Sequence, residues 1–291
     1  MLTFISLTSC GSRKDKGDPA YIQSIKEWHN QRIENLKKQN GWLNLVGLYW
    51  LKPGKNTFGS DNSNDIIFPK DKAPAFIGSF YLTDDSISII INTGVNVTNN
   101  GKPVKEMSLK DDMTDQPTVL AYSSLRWFII KRSNKIGIRL RDLNAPLVKE
   151  FQDIDTYPID EDYKVEAKLV PYNPPRIITI ASIIGTKEQD TVKAALQFKL
   201  KGQTLTVDPV IEGDEYFIIF ADKTSGVETY GAGRFLYAPV ADSTGKTVLD
   251  FNKAYNPPCS FTDYATCPLP PKENYLPIEI TAGEKTYHRP D

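Results

Sequence analysis

From Trp42 onward, apolar side chains recur at every second position in short runs, and Gly, Asn, Asp or Pro closes nearly every run. This spacing is the strongest constraint on the fold. A period of two turns one face of a strand to a core and the other to solvent, and short punctuated runs do not build helices. Trp42–Leu51 ends at Pro53-Gly54, and runs 76–82 and 87–91 are split by Asp84-Asp85. Asn99-Asn100-Gly101 is a hairpin signal, because Asn-Gly accepts the positive φ of a type I′ turn. Runs 125–132 and 136–142 read as a hairpin, as do 192–201 and 204–210. The run 163–171 reads as a strand, 172–175 as a turn and 176–180 as a further strand. Runs 216–220, 235–240 and 246–250 follow, and 278–281 is expected to close the sheet. The prediction is an all-β, mostly antiparallel fold: two packed β-sandwich- or barrel-like lobes with one N-terminal helix.

That helix is predicted over 19–40. Asp18 caps it, Pro19 opens it, and Ile22, Ile25, Trp28, Ile33 and Leu36 fall near one face. Gly41 is expected to end it in left-handed geometry. His29 reads as a rim histidine, with no second ligand or base one turn away.

Before the helix, Leu7-Thr8-Ser9-Cys10 looks like a bacterial lipobox, with Cys10 the residue lipidated, and 12–18 form a polar tether. The implied state is a lipid-anchored (palmitate-bearing) envelope protein facing the periplasm or cell exterior, with the membrane as partner through that anchor. The expected organisation is 1–18 signal remnant and tether, 19–40 helix, 41–112 first β lobe and 113–291 second β lobe. With 35 basic and 36 acidic side chains the chain has no field to draw in a polyanion, and no nucleic-acid partner is expected.

The residues least suited to plain strands lie in Gly231–Leu276, a proline-rich stretch that reads as an ordered loop on a scaffold. Cys259 and Cys267 fall there and read as a candidate disulfide. No metal site and no cofactor are expected, since only His29 and His288 could join those thiols. Scarce histidine and the lack of a Gly-x-Ser-x-Gly elbow count against a Ser-His-Asp hydrolase. Gly231-x-Gly233 is a fragment of a nucleotide fingerprint and reads better as close strand packing.

What remains is a polar-aromatic set: Glu228, Tyr230, Arg234, Asp250, Asn252, Tyr255, Asn256, Asp263 and Tyr264. One reading is a cleft formed by 228–276, where Arg234 receives a carboxylate or phosphate of a small-molecule, glycan or peptide ligand. A second is a hydrolase using Asp250 or Asp263 with Arg234, or Cys259 as nucleophile. A third is a structural or partner-docking subunit in which Arg234 is a buried pair, with Glu228 or Asp250 as its acid. Separately, Arg139 and Arg141 alternate with Ile138 and Leu140, so one strand face carries two arginines: a solvated face or an anion site.

The motifs GWLNLVGLYWLKPGKNTFGSDNSNDI, SLRWFIIKR, GIRLRD, ETYGAGRFLYAP and LDFNKAYNPPCSFTDYATCPLPPKENYLP together resemble the domain-of-unknown-function family 1684, from the helix to Glu284. The resemblance implies fold and boundaries but no reaction. Within it, Phe58-Gly59-Ser60-Asp61, Asn64-Asp65-Ile66 and Asn100-Gly101-Lys102-Pro103-Val104 are similar to the order of elements in forkhead-associated β-sandwiches, over 56–106. Those modules hold phosphothreonine with an Arg after the glycine and a Ser-Arg-x-x-His loop. Here Ser60 replaces that Arg and Ala73–Gly78 carries neither Arg nor His, so the sandwich is implied and the phosphate binding is not.

Overall fold

A computed structural model describes residues 14–289. Cys10 and the first two tether residues lie outside the described residues. The helix α1 spans Pro19–Lys37, and the Asp18 carboxylate accepts from the Ala20 and Tyr21 N–H groups. It ends earlier than expected, with Lys38 N–H turning back to the Asn35 carbonyl. Gly41 does not end it in left-handed geometry. Instead the chain folds back so tightly that a Cβ on Gly41 would lie 2.2 Å from the Leu36 carbonyl oxygen.

Two sheets make the first sandwich. One has six strands in the order Leu45–Trp50, Lys135–Asp142, Leu125–Arg132, Leu120–Tyr122, Thr98–Asn99 and Lys102–Pro103. The other has five, in the order Ile66–Ile67, Gly54–Gly59, Gly78–Thr83, Ser86–Ile91 and Glu106–Leu109. All pairings are antiparallel except that of Gly54–Gly59 with Ile66–Ile67. Phe58, Phe68, Phe80, Trp127, Ile129 and Ile138 form the core between them. Fully burying each such side chain contributes about 1.5–3 kcal/mol. The strands within 120–142, beyond the expected break at 112/113, belong to the six-stranded sheet of this first sandwich, Lys135–Asp142 pairing with Leu45–Trp50. At the hairpin tip Asn100 and Gly101 take φ of 48° and 75°, the type I′ geometry the dipeptide favours.

The second half holds a four-stranded sheet, Gln203–Val207, Lys187–Leu200, Lys164–Ala181 and Lys246–Asp250, and a three-stranded one, Val210–Glu212, Glu215–Phe220 and Arg234–Pro239. Their shared core includes Leu196, Phe198, Ile218, Phe220, Leu249 and Phe251. The turn expected at 172–175 is instead an irregularity within the single strand Lys164–Ala181, where the register shifts between Pro171 and Arg176. The strand continues because its partner Lys187–Leu200 runs alongside on both sides of the shift. The far end of this long hairpin crosses to the first sandwich, with Ser133 Oγ bonded to Glu188 at 3.1 Å. It also pairs with the proline-rich loop, where Ile183 N–H donates to the Cys267 carbonyl.

Segment 278–281 does not close a sheet. It is irregular, with Ile278 and Ile280 buried and Glu279 exposed; the Ile280 carbonyl accepts from Arg234, that of Ile278 from the Lys223 N–H and that of Glu279 from Lys201. The Arg234 guanidinium is fully enclosed and donates to the carbonyls of Ile280 (2.9 Å), Ala282 and Glu284 (3.3 Å). It also donates to Asp222 Oδ2 at 2.8 Å, an ion pair with no solvent exposure on either side chain. The other Asp222 oxygen accepts from Thr224 and from the Ile280 N–H. One cation thus satisfies three carbonyls of a segment that belongs to no sheet. Gly233, at φ +85°, lets Arg234 enter: a Cβ there would lie 2.5 Å from the Phe220 carbonyl oxygen and from the Pro270 ring.

Arg234→Met leaves Asp222 buried without its cation, and urea unfolding should show a loss of about 3–5 kcal/mol; a loss below about 1 kcal/mol contradicts the clamp. Gly233→Ala should lower stability by more than about 1 kcal/mol, because it meets both a left-handed backbone and a carbonyl. An unchanged urea midpoint in that variant removes the close-packing account.

Candidate functional site

Where α1, the six-stranded sheet, the three-stranded sheet and the proline-rich loop converge, they leave a cleft of about 590 Å³. Such a volume falls within the ordinary range for small-molecule sites. Each wall follows from local folding. The helix contributes Trp28, Arg32 and Leu36 from successive turns, and the tight return at Gly41 brings Trp42 beside them. The three-stranded sheet contributes Phe217 and Phe235, whose rings meet edge-on at 4.9 Å. Tyr237 and Tyr255 stack at 6.3 Å and 12°, and the Arg32 guanidinium lies 4.4 Å over the Tyr255 ring. The loop adds Phe261, Thr266, Cys267 and Pro268.

Arg132 and Arg139 enter from the first sandwich. The face of Lys135–Asp142 that carries Arg139 and Arg141 is not solvated. Trp42 and the loop cover it, leaving the two residues 3% and 8% exposed. Arg141 donates to the Gly41 carbonyl and to Asn44 Oδ1 (2.8 Å), so it braces the turn after α1.

The charges along the cleft differ in how they are balanced. Arg32 pairs with the fully buried Glu284 and donates to the Asn256 carbonyl at 2.8 Å. Arg132 holds both oxygens of Asp112, at 3.0 and 2.7 Å. Glu212 accepts from the Tyr237 hydroxyl at 2.7 Å on the exposed rim. Among the described residues Arg139 has no carboxylate within ion-pair distance. It donates one bond, to Thr266 Oγ1 at 3.1 Å, and its Nε has no partner. Burial, with the Arg132 cation adding to it, draws its pKa down to about 10; Asp112 offers partial relief, though its oxygens are taken. The Trp42 ring, 5.5 Å away, gives it a cation–π contact.

Of the nine residues singled out from sequence, Tyr255 and Asn256 line this cleft and the others do not. Arg234 corrects that expectation most: it faces no cavity, because four acceptors enclose it, and its acid is Asp222 rather than Glu228 or Asp250. Glu228 is exposed and lies 3.6 Å from Lys285. Tyr230 donates to the Cys259 carbonyl at 3.3 Å. Asp250 and Asn252 bond the Tyr21 hydroxyl at 2.8 and 2.9 Å, which anchors α1 to the second lobe. Asp263 is exposed and pairs with Arg289 at 2.7 Å, and Tyr264 is exposed. Asn256 is itself fully buried and donates to the Lys285 carbonyl at 2.7 Å. Cys259 and Cys267 are adjacent but not bonded. Both are free and buried, and the Cys259 N–H donates to Cys267 Sγ at 3.1 Å. The hydrogen bond between the two sulfurs, then burial, pushes the Cys267 thiol up, and the same bond holds the Cys259 thiol below its usual value.

Sequence reasoning missed Trp28, Trp42, Phe217, Phe235, Arg132 and Thr266, each of which reads as core or surface in its own segment. Arg139 was signalled by its alternation.

Residues 149–285 match the model of a family described as "Protein of unknown function (DUF1684)". The match takes in ETYGAGRFLYAP and the proline-rich loop, and begins after the N-terminal motifs at 41–66 and 124–142. No curated protein matches the chain. Among solved structures, one similar chain is the solution structure of the uncharacterized protein from gene locus rrnAC0354 of Haloarcula marismortui. It is 30% identical, with 48% of this chain and 80% of that chain covered and a TM-score of 0.40. The FHA domain of FhaA, solved with the intracellular domain of Rv3910, is 16% identical, with 32% and 97% covered and a TM-score of 0.23. An FHA domain from a study of phosphothreonine-dependent interactions is 15% identical, with 32% and 92% covered and a TM-score of 0.23. No function passes from either FHA domain at that score. By that match, residues 149–285 of this chain are similar to the DUF1684 family of proteins of unknown function.

Proposed function

We propose that the protein binds a small molecule with an apolar, aromatic body in the cleft between its two lobes. The observation that supports this most is the wall itself: Trp28, Trp42, Phe217, Phe235, Tyr237 and Tyr255 face one cavity of about 590 Å³ that the fold leaves unfilled. Packed interiors avoid such voids, since each ring forfeits its contacts on the empty side. The loop 231–276 forms one wall, as the sequence suggested, but Tyr255 and its neighbours do so in place of Arg234.

The hydrolase reading has less support. Arg234 and Asp250 sit in separate hydrogen-bond networks, Asp263 and the Cys259 carbonyl share Arg289 in a third, and none of the four lines the cleft. The lipid anchor is part of the proposal and rests on Leu7-Thr8-Ser9-Cys10 and the polar run that follows. Among the described residues no helix is long and apolar enough to cross a membrane.

Benzamide, a neutral aromatic probe, should show saturation-transfer NMR signal with the protein, and Tyr255→Ala should weaken it about tenfold, since an aromatic pair contributes about 0.5–1.5 kcal/mol. An absence of signal for both benzamide and benzoate removes the cleft reading. Cys10→Ser should move the protein from the membrane to the soluble fraction of cells expressing the full chain; unchanged fractionation removes the anchor.

A further inference from the structure

Among the described residues Arg139 is a buried cation with no carboxylate within ion-pair distance, as is Arg141, whose donors are taken by the Gly41 carbonyl and Asn44. Arg234, equally buried, has Asp222; Arg32 has Glu284; Arg132 has both oxygens of Asp112. Arg139 has one hydroxyl, Thr266 Oγ1, and that same hydroxyl already accepts from Arg132 Nε at 3.2 Å. Its Nε is buried without a partner, as is that of Arg234, but its side chain, unlike that of Arg234, borders the cleft. A buried donor left open is costly, and a buried unpaired charge more so, so native structures retain them chiefly where a ligand completes them.

We propose that Arg139, with Thr266 beside it, is a subsite for the carboxylate of an aromatic or apolar-bodied acid, whose body lies between Trp42, Phe235 and Tyr255. This rests on the cleft reading above and adds the ligand's polar group to it. The chemistry matches in three respects. A guanidinium with an open Nε–H presents a directed donor that a carboxylate oxygen accepts with a charge-assisted bond. Thr266 Oγ1 accepts from the two arginines, so its own hydrogen is left to donate to a second carboxylate oxygen. The count of charge also decides between oxyanions. Arg132 is already neutralised by Asp112 and Arg32 by Glu284, and Arg141, also without a carboxylate, spends its donors on Gly41 and Asn44 outside the cleft lining. Arg139 is the cation left open to the cleft, which suits a monoanionic carboxylate better than a dianionic phosphate.

The test compares benzoate, its neutral isostere benzamide and phenyl phosphate by calorimetry or saturation-transfer NMR on the whole protein. Benzoate should bind at least tenfold more tightly than benzamide, and phenyl phosphate no more tightly than benzoate. In Arg139→Met the benzoate preference should vanish while benzamide binds as before. Equal binding of benzoate and benzamide to the parent overturns the subsite and leaves the cleft standing. No binding of any probe overturns both, and tighter binding of phenyl phosphate overturns the assignment to a carboxylate. A preference that survives in Arg139→Met overturns the role of Arg139. Should that variant fail to fold, Arg139→Lys keeps the cation without the planar fork. It should lose at least fivefold in benzoate affinity with benzamide unchanged, and an unchanged benzoate affinity there overturns the proposal.

Discussion

The fold depends on how the chain disposes of buried guanidinium groups. Four arginines lie at or near the contact between the two sandwiches, and burying each costs several kcal/mol unless acceptors surround it. Arg234 is given an acid and three carbonyls and becomes the clamp that orders the last irregular segment. Arg32 ties α1 to Glu284 and the Asn256 carbonyl. Arg141 closes the turn after α1. Arg139 receives least, and it borders the cleft, as Arg32 does with its acid already in place. The same burial that makes three of them structural makes the fourth a place where an anion would be held strongly.

The cleft is a consequence of this arrangement rather than an addition to it. A loop rich in proline cannot complete a sheet, so it packs by side chains and by carbonyls offered to arginines. Laid across Lys135–Asp142, it covers Arg139 through Thr266, and its aromatic residues stand against those of Arg234–Pro239. Helix α1, held by Tyr21 to Asp250 and Asn252, supplies the remaining wall. The residues that fix the cleft's shape are therefore mostly remote from it.

Much of the scaffold was legible because its signals are local. Asp18 and Pro19 start the helix within three residues, and Asn100-Gly101 sets a hairpin by its own φ preferences. The alternation through Ile136, Ile138 and Leu140 correctly placed Arg139 and Arg141 on one face. It could not show that the face is buried, because the cover comes from Thr266, 127 residues away. Arg234 stood out as an arginine after a Gly-x-Gly turn. Its role was not legible, because it answers carbonyls of 280–284, a segment that alternation made look like a strand. Asp250 and Asn252 were noticed for their chemistry, whereas their partner Tyr21 lies on a helix near the other end of the chain.

The account's central claim is that the unbalanced Arg139 cation is the point at which this cleft recognises its ligand. A crystal of the protein soaked with 4-bromobenzoate, with the bromine located by anomalous scattering, tests it most directly. The account predicts the carboxylate within hydrogen-bond distance of Arg139 Nε and Thr266 Oγ1, with the bromophenyl ring among Trp42, Phe235 and Tyr255. Bromine found only at exterior lysines, with an ordered water on Arg139 Nε and the cleft otherwise unchanged, would contradict it.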